Sequence, residues 1–352
     1  MTTHEPDYRF TSPGALIAAL PAVLGFVPEK SLVLVSLEHG EMGAVMRTDL
    51  PQACGGDLSH LAELAAASGA DAVVGVIVDA EGAQCPMCNQ DYRDLCAELT
   101  SALAVHGLGL YAGHVVDRIE AGGRWHCVDG CGAAGVVDDP MSSPLAVAAV
   151  LDGRRLYQRR ADLQAVVAMA DATRSASLVP AIADRAEARE VDRRTDADGC
   201  ARRDVEAAIE VSARVCDGGE PDDAELASLA CALTDVAVRD TLYALSVGAD
   251  AGRAETLWAL LARTLPEPWR VEALVLVAFS AYVRGDGPMA GLSLEAALRA
   301  DPEHRMAGML DTALQSGMRP AQIRELADTG YRLAERLGVR LPPRRAFGRR
   351  AV

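Results

Sequence analysis

Between Asp71 and Asp79 the chain reads DAVVGVIVD, apolar at every interior position and rich in β-branched side chains. A strand apolar on alternate positions can leave one face in water, but a strand apolar throughout must be covered on both. The run from Ser31 to Leu37 has the same character. Helical periods lie between such runs. Asp57 is placed to cap a helix with Leu58, Leu61, Leu64 and Ala65 on one side, and a helix from about Asn89 carries Tyr92, Leu95, Leu99 and Leu103 four or three apart. Strands needing two covers, separated by helices able to supply them, restrict this part of the chain to a layered α/β arrangement.

The other strands predicted are Ala44 to Leu50, Leu108 to Val116 and Arg124 to Val128. Glu38-His39-Gly40 reads as the turn of an antiparallel hairpin, and βαβαβ connections are expected from the second strand to the fourth. The expected sheet is therefore mixed, mostly parallel and the middle of three layers. Val137 to Pro144 (VDDPMSSP) has linker chemistry, and the chain beyond it reads as helix. The expected division is an α/β domain over residues 1–140, a helical domain over 141–338 and a disordered basic tail over 339–352. That tail carries Arg340, Arg344, Arg345, Arg349 and Arg350.

Within the helical half, residues 184–206 alternate in charge and read as a solvated face, with Glu190 four residues before Arg194. Pro221 begins a helical pattern through Leu226, Leu229, Leu233, Val236, Leu242 and Leu245. Leu274, Val277 and Ala278 precede a turn at Gly285-Asp286-Gly287. Ala290, Leu294, Ala297 and Pro302 then follow at offsets resembling a tetratricopeptide-type hairpin.

Two segments carry a further resemblance. The first is SPGALIAALPAVLGFVPEKSLVLVSL from Ser12, followed by Arg47-Thr48-Asp49-Leu50-Pro51. The second runs from Gly285-Asp286-Gly287 through Ala297-Leu298-Arg299-Ala300-Asp301-Pro302. Together they resemble an actinobacterial family known as domain of unknown function 4192. A bias to Ala, Gly and Arg, with Lys30 the single lysine, fits such a source. The resemblance implies no activity. Its cysteine-bearing stretch is matched in part by Arg124-Trp125-His126-Cys127 and by Cys131-Gly132.

The net charge of −16 argues against non-specific nucleic-acid binding, which needs cations on phosphates. With no leader and no membrane-length apolar run legible, a cytoplasmic protein without membrane contact is expected. The expected function is that of an interaction or regulatory protein, its helical half offering a surface to a protein partner through Arg284, Asp286, Arg299 and His304.

Other constellations carry chemistry. Asp49, Asp79 and Asp117 fall at the carboxyl ends of three predicted strands, the edge where open α/β sheets bind ligands, with His114 nearby. Such carboxylates could hold Mg²⁺ for metal-assisted hydrolysis or phosphoryl transfer. Cys85, Cys88, Cys127 and Cys131 form two pairs that could bind zinc and stabilise a binding module. Cys85-Pro86-Met87-Cys88 alone is also spaced as a redox pair at the start of a helix, where the first thiol would be acidified. No nucleophile elbow, phosphate loop, H-E-x-x-H or dinucleotide fingerprint is present, so no catalytic motif is recognisable.

Overall fold

The structure is a computed structural model that describes residues 12–151 and 153–345. It divides after Arg160 into two compact units.

The first unit contains α1 (Pro13–Leu24), β1 (Ser31–Glu38), β2 (Glu41–Asp49), α2 (Leu50–Gly55), α3 (Ser59–Ala67), β3 (Ala72–Val78), α4 (Pro86–Val105), β4 (Gly109–Val116), β5 (Arg124–Cys127), β6 (Ala134–Val136) and α5 (Pro144–Leu151). Six strands form one sheet in the order β2-β1-β3-β4-β5-β6. His39 and Gly40, at φ 53° and 83°, turn β1 into β2 with the positive angles that a tight hairpin requires.

The sheet is mixed, as expected, but mostly antiparallel rather than mostly parallel. Within it only β3 and β4 pair in parallel, joined by α4; β1 pairs antiparallel with both β2 and β3. The physical reason lies in burial. Leu32 and Leu34 on one face of β1 and Val33 and Val35 on the other are all buried, so β1 takes the interior position. The more polar β2, with half-buried Arg47 and Thr48, is left at the edge.

One face of the sheet is covered by α2, α3 and α4, whose Leu50, Ala62, Leu95 and Leu99 share a core with Leu32, Leu34, Val73 and Ile77. Gly75 and Gly113 are paired across β3 and β4 beneath α4. A Cβ on Gly113 would stand 2.7 Å from Val128 and 3.1 Å from Cys96 of α4, and one on Gly75 would touch Leu99 at 3.9 Å. These glycines form the seat on which the helix rests. Val33, Val35, Val76 and Val78 make the opposite face, equally buried. On that side α1 closes on the far end of the sheet, where a Cβ on Gly14 would meet the Val136 carbonyl at 2.3 Å.

The unit extends past residue 140 because the chain returns to α1. Arg154 donates to the Ala22 carbonyl at 2.8 Å, and the Tyr157 backbone bonds to Gly25 and Val27. The linker chemistry at Val137–Pro144 becomes a short 3₁₀ turn at Pro140–Ser142 and the start of α5.

The second unit is helical: α6 (Arg160–Ala165), α7 (Ala172–Ser177), α8 (Val179–Thr195), α9 (Ala197–Cys216), α10 (Asp223–Leu233), α11 (Val236–Leu242), α12 (Ala251–Thr264), α13 (Trp269–Val283), α14 (Gly287–Ala300), α15 (Arg305–Gln315), α16 (Pro320–Arg324) and α17 (Ala327–Leu337). The long helix expected from Pro221 is divided at Asp235, which caps α11 by accepting from the Ala237 N–H at 2.9 Å. The supposed solvated face holds a buried exception. Arg189 of α8 donates to Asp204 at 2.8 Å and to Asp235 at 2.9 Å, tying α8, α9 and the start of α11 together. In α13 and α14, Leu274, Val277, Ala278, Ala290, Leu294 and Ala297 are buried as the spacing predicts, and Gly285 turns between them at φ 82°.

Residues 342–345 of the expected tail pack on this unit. The Pro343 carbonyl accepts from the Ala249 N–H at 2.8 Å, and Arg344 pairs with Asp328 and lies 4.6 Å from the centre of the Tyr331 ring. Arg349 and Arg350 lie outside the described residues. No helix among the described residues is long and apolar enough to cross a membrane.

Gly113→Ala is expected to destabilise the first unit by about 1–3 kcal/mol through overpacking under α4, read from urea unfolding. Arg189→Ala strands two carboxylates and is expected to cost the second unit about 3–5 kcal/mol. Burial acts to raise the Asp235 carboxyl, but the Arg189 hydrogen bond and the Ala237 N–H outweigh it and hold it below the usual range. That contribution is present above the unfolded value of about 3.9 and disappears as pH falls through the lower folded value. Stability of wild type and Arg189→Ala should therefore converge in acid.

Candidate functional site

The strands β2, β3 and β4 run in one direction, although β1 lies between β2 and β3. Asp49, Asp79 and Asp117 thus share one edge, but Asp49 stands two strand spacings, about 10 Å, from Asp79. Each carboxylate is engaged locally. Asp49 accepts from Arg47 at 2.5 Å. Asp79 accepts from the Tyr92 hydroxyl at 2.7 Å and the Glu81 N–H at 3.1 Å. Asp117 accepts from the N–H groups of Arg118 and Arg124 at 2.7 and 2.8 Å. The three do not converge as a set of metal donors.

What this edge does form is a cleft of about 420 Å³. Lys30, Cys54, Asp79, Cys88, Asp91 and Tyr92 line it. A Cβ on Gly82 would stand 1.9 Å from the Tyr92 oxygen, so only glycine there lets the hydroxyl reach Asp79. Burial and the charges of Asp91, Glu98 and Asp79 push the Cys54 thiol up.

At the mouth of α4 stands Cys85-Pro86-Met87-Cys88. The helix starts at Pro86, earlier than the periodicity suggests, because proline suits the first helical position; Cys85 is the residue before it. The N–H of Cys88, the Cys88 thiol and the N–H of Met87 stabilise the Cys85 thiolate and draw that thiol below its ordinary value. The Cys85 sulfur, then burial, then the charges of Cys85, Asp79 and Asp91 push Cys88 the other way. Asn89 fixes the turn by donating to the carbonyls of Cys85 at 2.8 Å and Ala83 at 3.0 Å. With its amide nitrogen so used, its oxygen accepts from His126 Nε2 at 2.7 Å, which sets that imidazole's tautomer.

A second cluster lies at the end of β5. Cys127 Sγ, an Asp129 carboxylate oxygen and Cys131 Sγ are all within 4.8 Å of one another, and His114 Nδ1 is 3.8 Å from Cys127 Sγ. Burial, then the Cys131 thiol and the Asp129 charge, push the Cys127 thiol up to about 12. Burial lowers His114, opposed by Asp129, and its ring meets Trp125 edge-on at 5.1 Å. This trio includes neither Cys85 nor Cys88, so the four cysteines expected as one zinc set are not brought to one place. The cause is strand alternation: His126 points to the α4 side of the sheet, and its neighbours Trp125 and Cys127 point to the other. Asp129 was missed by the sequence reading, although its place midway in CVDGC is the available signal.

Of the four residues expected to meet a partner, three turn inward. Arg284 pairs with Glu255 and Asp286, Asp286 caps α14 through the Met289 N–H at 3.2 Å, and His304 caps α15 while its Nε2 lies 3.3 Å from Glu272. Arg299 is exposed and pairs with Glu295 at 2.6 Å.

A family model described as Domain of unknown function (DUF4192) matches residues 13–321, and the chain belongs to that family. No curated protein and no solved structure matches the chain.

The thiol directions make a kinetic expectation. Alkylation of Cys85 by iodoacetamide, followed by peptide mass spectrometry, should have its pH midpoint below the ordinary thiol value of about 8.5, and Cys88 should have its midpoint above it. Equal midpoints would contradict the geometry at the start of α4.

Proposed function

We propose that the first unit is a thiol–disulfide exchange module, with Cys85 as attacking thiolate and Cys88 as resolving thiol. The observation that carries this reading is the placement of Cys85 at the N-cap of the twenty-residue helix α4, with Cys88 in the helix's first turn. Helix N-termini favour thiolate over thiol, and the thiolate is the reactive form.

The step balances without a cofactor. The Cys85 thiolate attacks one sulfur of a partner disulfide, a mixed disulfide forms, and the other partner sulfur leaves as thiolate. Cys88 then loses its proton and attacks Cys85 Sγ, releasing the second partner thiolate. The products are a Cys85–Cys88 disulfide and a partner dithiol: two electrons pass to the partner, whose two sulfurs take the proton lost by Cys88 and one from solvent. Run backwards, the same step oxidises a partner dithiol. The raised Cys88 thiol is suited to waiting in protonated form until the mixed disulfide exists.

The neighbouring cleft supports a choice of partner. Asp79, Asp91, Asp94 and Glu98 outnumber Lys30 around it, which favours a disulfide flanked by basic side chains. On this reading the protein partner expected from the sequence is the disulfide's carrier, and a reducing cytoplasm would keep the pair ready to donate electrons.

Equilibration in glutathione redox buffers tests the proposal. Wild type should interconvert between dithiol and intramolecular disulfide, with a potential in the range of roughly −270 to −120 mV spanned by exchange proteins. Cys88→Ser should accumulate a mixed disulfide on Cys85, and Cys85→Ser should accumulate none on Cys88 at comparable rate. Absence of the Cys85–Cys88 bond across the whole buffer series would end the reading.

A further inference from the structure

We infer that Cys127, Asp129, Cys131 and His114 form a binding site for a zinc-class divalent cation, separate from the dithiol and on the other face of the sheet. Two thiolates, a carboxylate and an imidazole are four protein donors of the types zinc accepts. Three donor atoms already lie within 4.8 Å of one another, and His114 Nδ1 is 3.8 Å from one of them. Ligand atoms around a tetrahedral zinc stand roughly 3.3–3.8 Å apart, as follows from metal–ligand distances of about 2.0–2.3 Å. Closing the cluster on one ion requires the loop to move inward, bringing Asp129 and Cys131 toward His114, which lies outside the mutually close trio.

The loop is built for such closure. Its base is fastened where the Cys127 N–H donates to the Ala133 carbonyl at 2.9 Å, and its turn is held where the Cys131 N–H donates to Asp129 Oδ1 at 3.0 Å. Gly130 and Gly132 take φ of 72° and 86°, and nothing lies within 4 Å of where their Cβ atoms would be. They are therefore needed for backbone direction, bringing the sulfurs of Cys127 and Cys131 to the same side, and not for space. On the inner side, His114 is held in β4 against Trp125, and the Val128 N–H bonds to the Gly113 carbonyl at 2.9 Å. One side of the site is thus rigid sheet and the other an open loop. Four protein donors leave no open coordination position, so the ion's role is structural: it pins the loop between β5 and β6.

The test uses the full chain, fully reduced and stripped of metal, titrated with Co²⁺ alone. One equivalent should produce the visible absorption of tetrahedral cobalt together with thiolate charge transfer, and Zn²⁺ should displace it. Cys131→Ser, at an exposed loop position, should weaken binding tenfold or more. Asp129→Asn should weaken it less, and Cys88→Ser should leave it unchanged. Bound zinc should also protect Cys127 and Cys131 from alkylation while Cys85 continues to react. No one-to-one complex, unchanged affinity in Cys131→Ser, or loss of binding in Cys88→Ser would each overturn the proposal. The Cys88→Ser arm keeps this outcome apart from that of the dithiol reading, which does not involve a metal.

Discussion

The seating of α4 on β3 and β4 is the contact on which the first unit depends. Tyr92, Leu95, Leu99 and Leu103 are buried along one side of that helix, and the paired glycines Gly75 and Gly113 lower the sheet surface beneath it. Fully burying each large apolar side chain contributes about 1.5–3 kcal/mol, so these residues outweigh any hydrogen bond at the helix ends. The same contact sets where the helix begins. Once Leu95 and Leu99 are docked on the sheet, Cys85 and Cys88 are carried to its edge, and the Tyr92 hydroxyl is carried to Asp79. The chemistry proposed for the dithiol is thus positioned by packing two turns away from it.

Much of this was legible in the residues. The α4 face, the two-sided strands β1 and β3, the turn at His39 and Gly40 and the hairpin turn at Gly285 all follow from local pattern. Strand neighbours did not, because pairing is a comparison between surfaces, and periodicity describes each surface alone. The β1–β2 hairpin could have docked through either strand. The deciding term is that β1 has nothing polar to leave in water, whereas β2 has Arg47 and Thr48. That comparison was available in the sequence and points to β1 as the interior strand. The acidic edge survives the rearrangement, since β2, β3 and β4 still point one way, but the inserted strand spreads its carboxylates apart.

Charge was harder to read than apolarity. Arg189 sits in a segment where acids and bases alternate, and nothing local distinguishes it from Arg193 or Arg194, which pair with Glu190 in solvent. Its burial comes from Asp204, on the next helix, and Asp235, beyond the segment, both brought in by helix packing. The same holds for Arg284, Asp286 and His304. Charged residues near a turn read as surface, yet these satisfy helix ends and one another. A buried ion pair is weak evidence of net stability, but it opposes alternative packings, which would strand its members.

A single strand connects the two proposed sites. In β5, His126 faces α4 and holds Asn89, which in turn fixes the carbonyls around Cys85. The next residue, Cys127, faces the other way and belongs to the cluster with Asp129 and Cys131. Adjacent residues on a strand cannot exchange roles, because a slip of one position moves every side chain to the opposite face. The register of β5 against β4, with His114 opposite Cys127 and Val115 opposite His126, therefore determines both constellations at once. An ion pinning the loop between β5 and β6 would resist that slip. In doing so it would hold His126 against Asn89 and keep the turn ahead of α4 in the conformation from which Cys85 reacts.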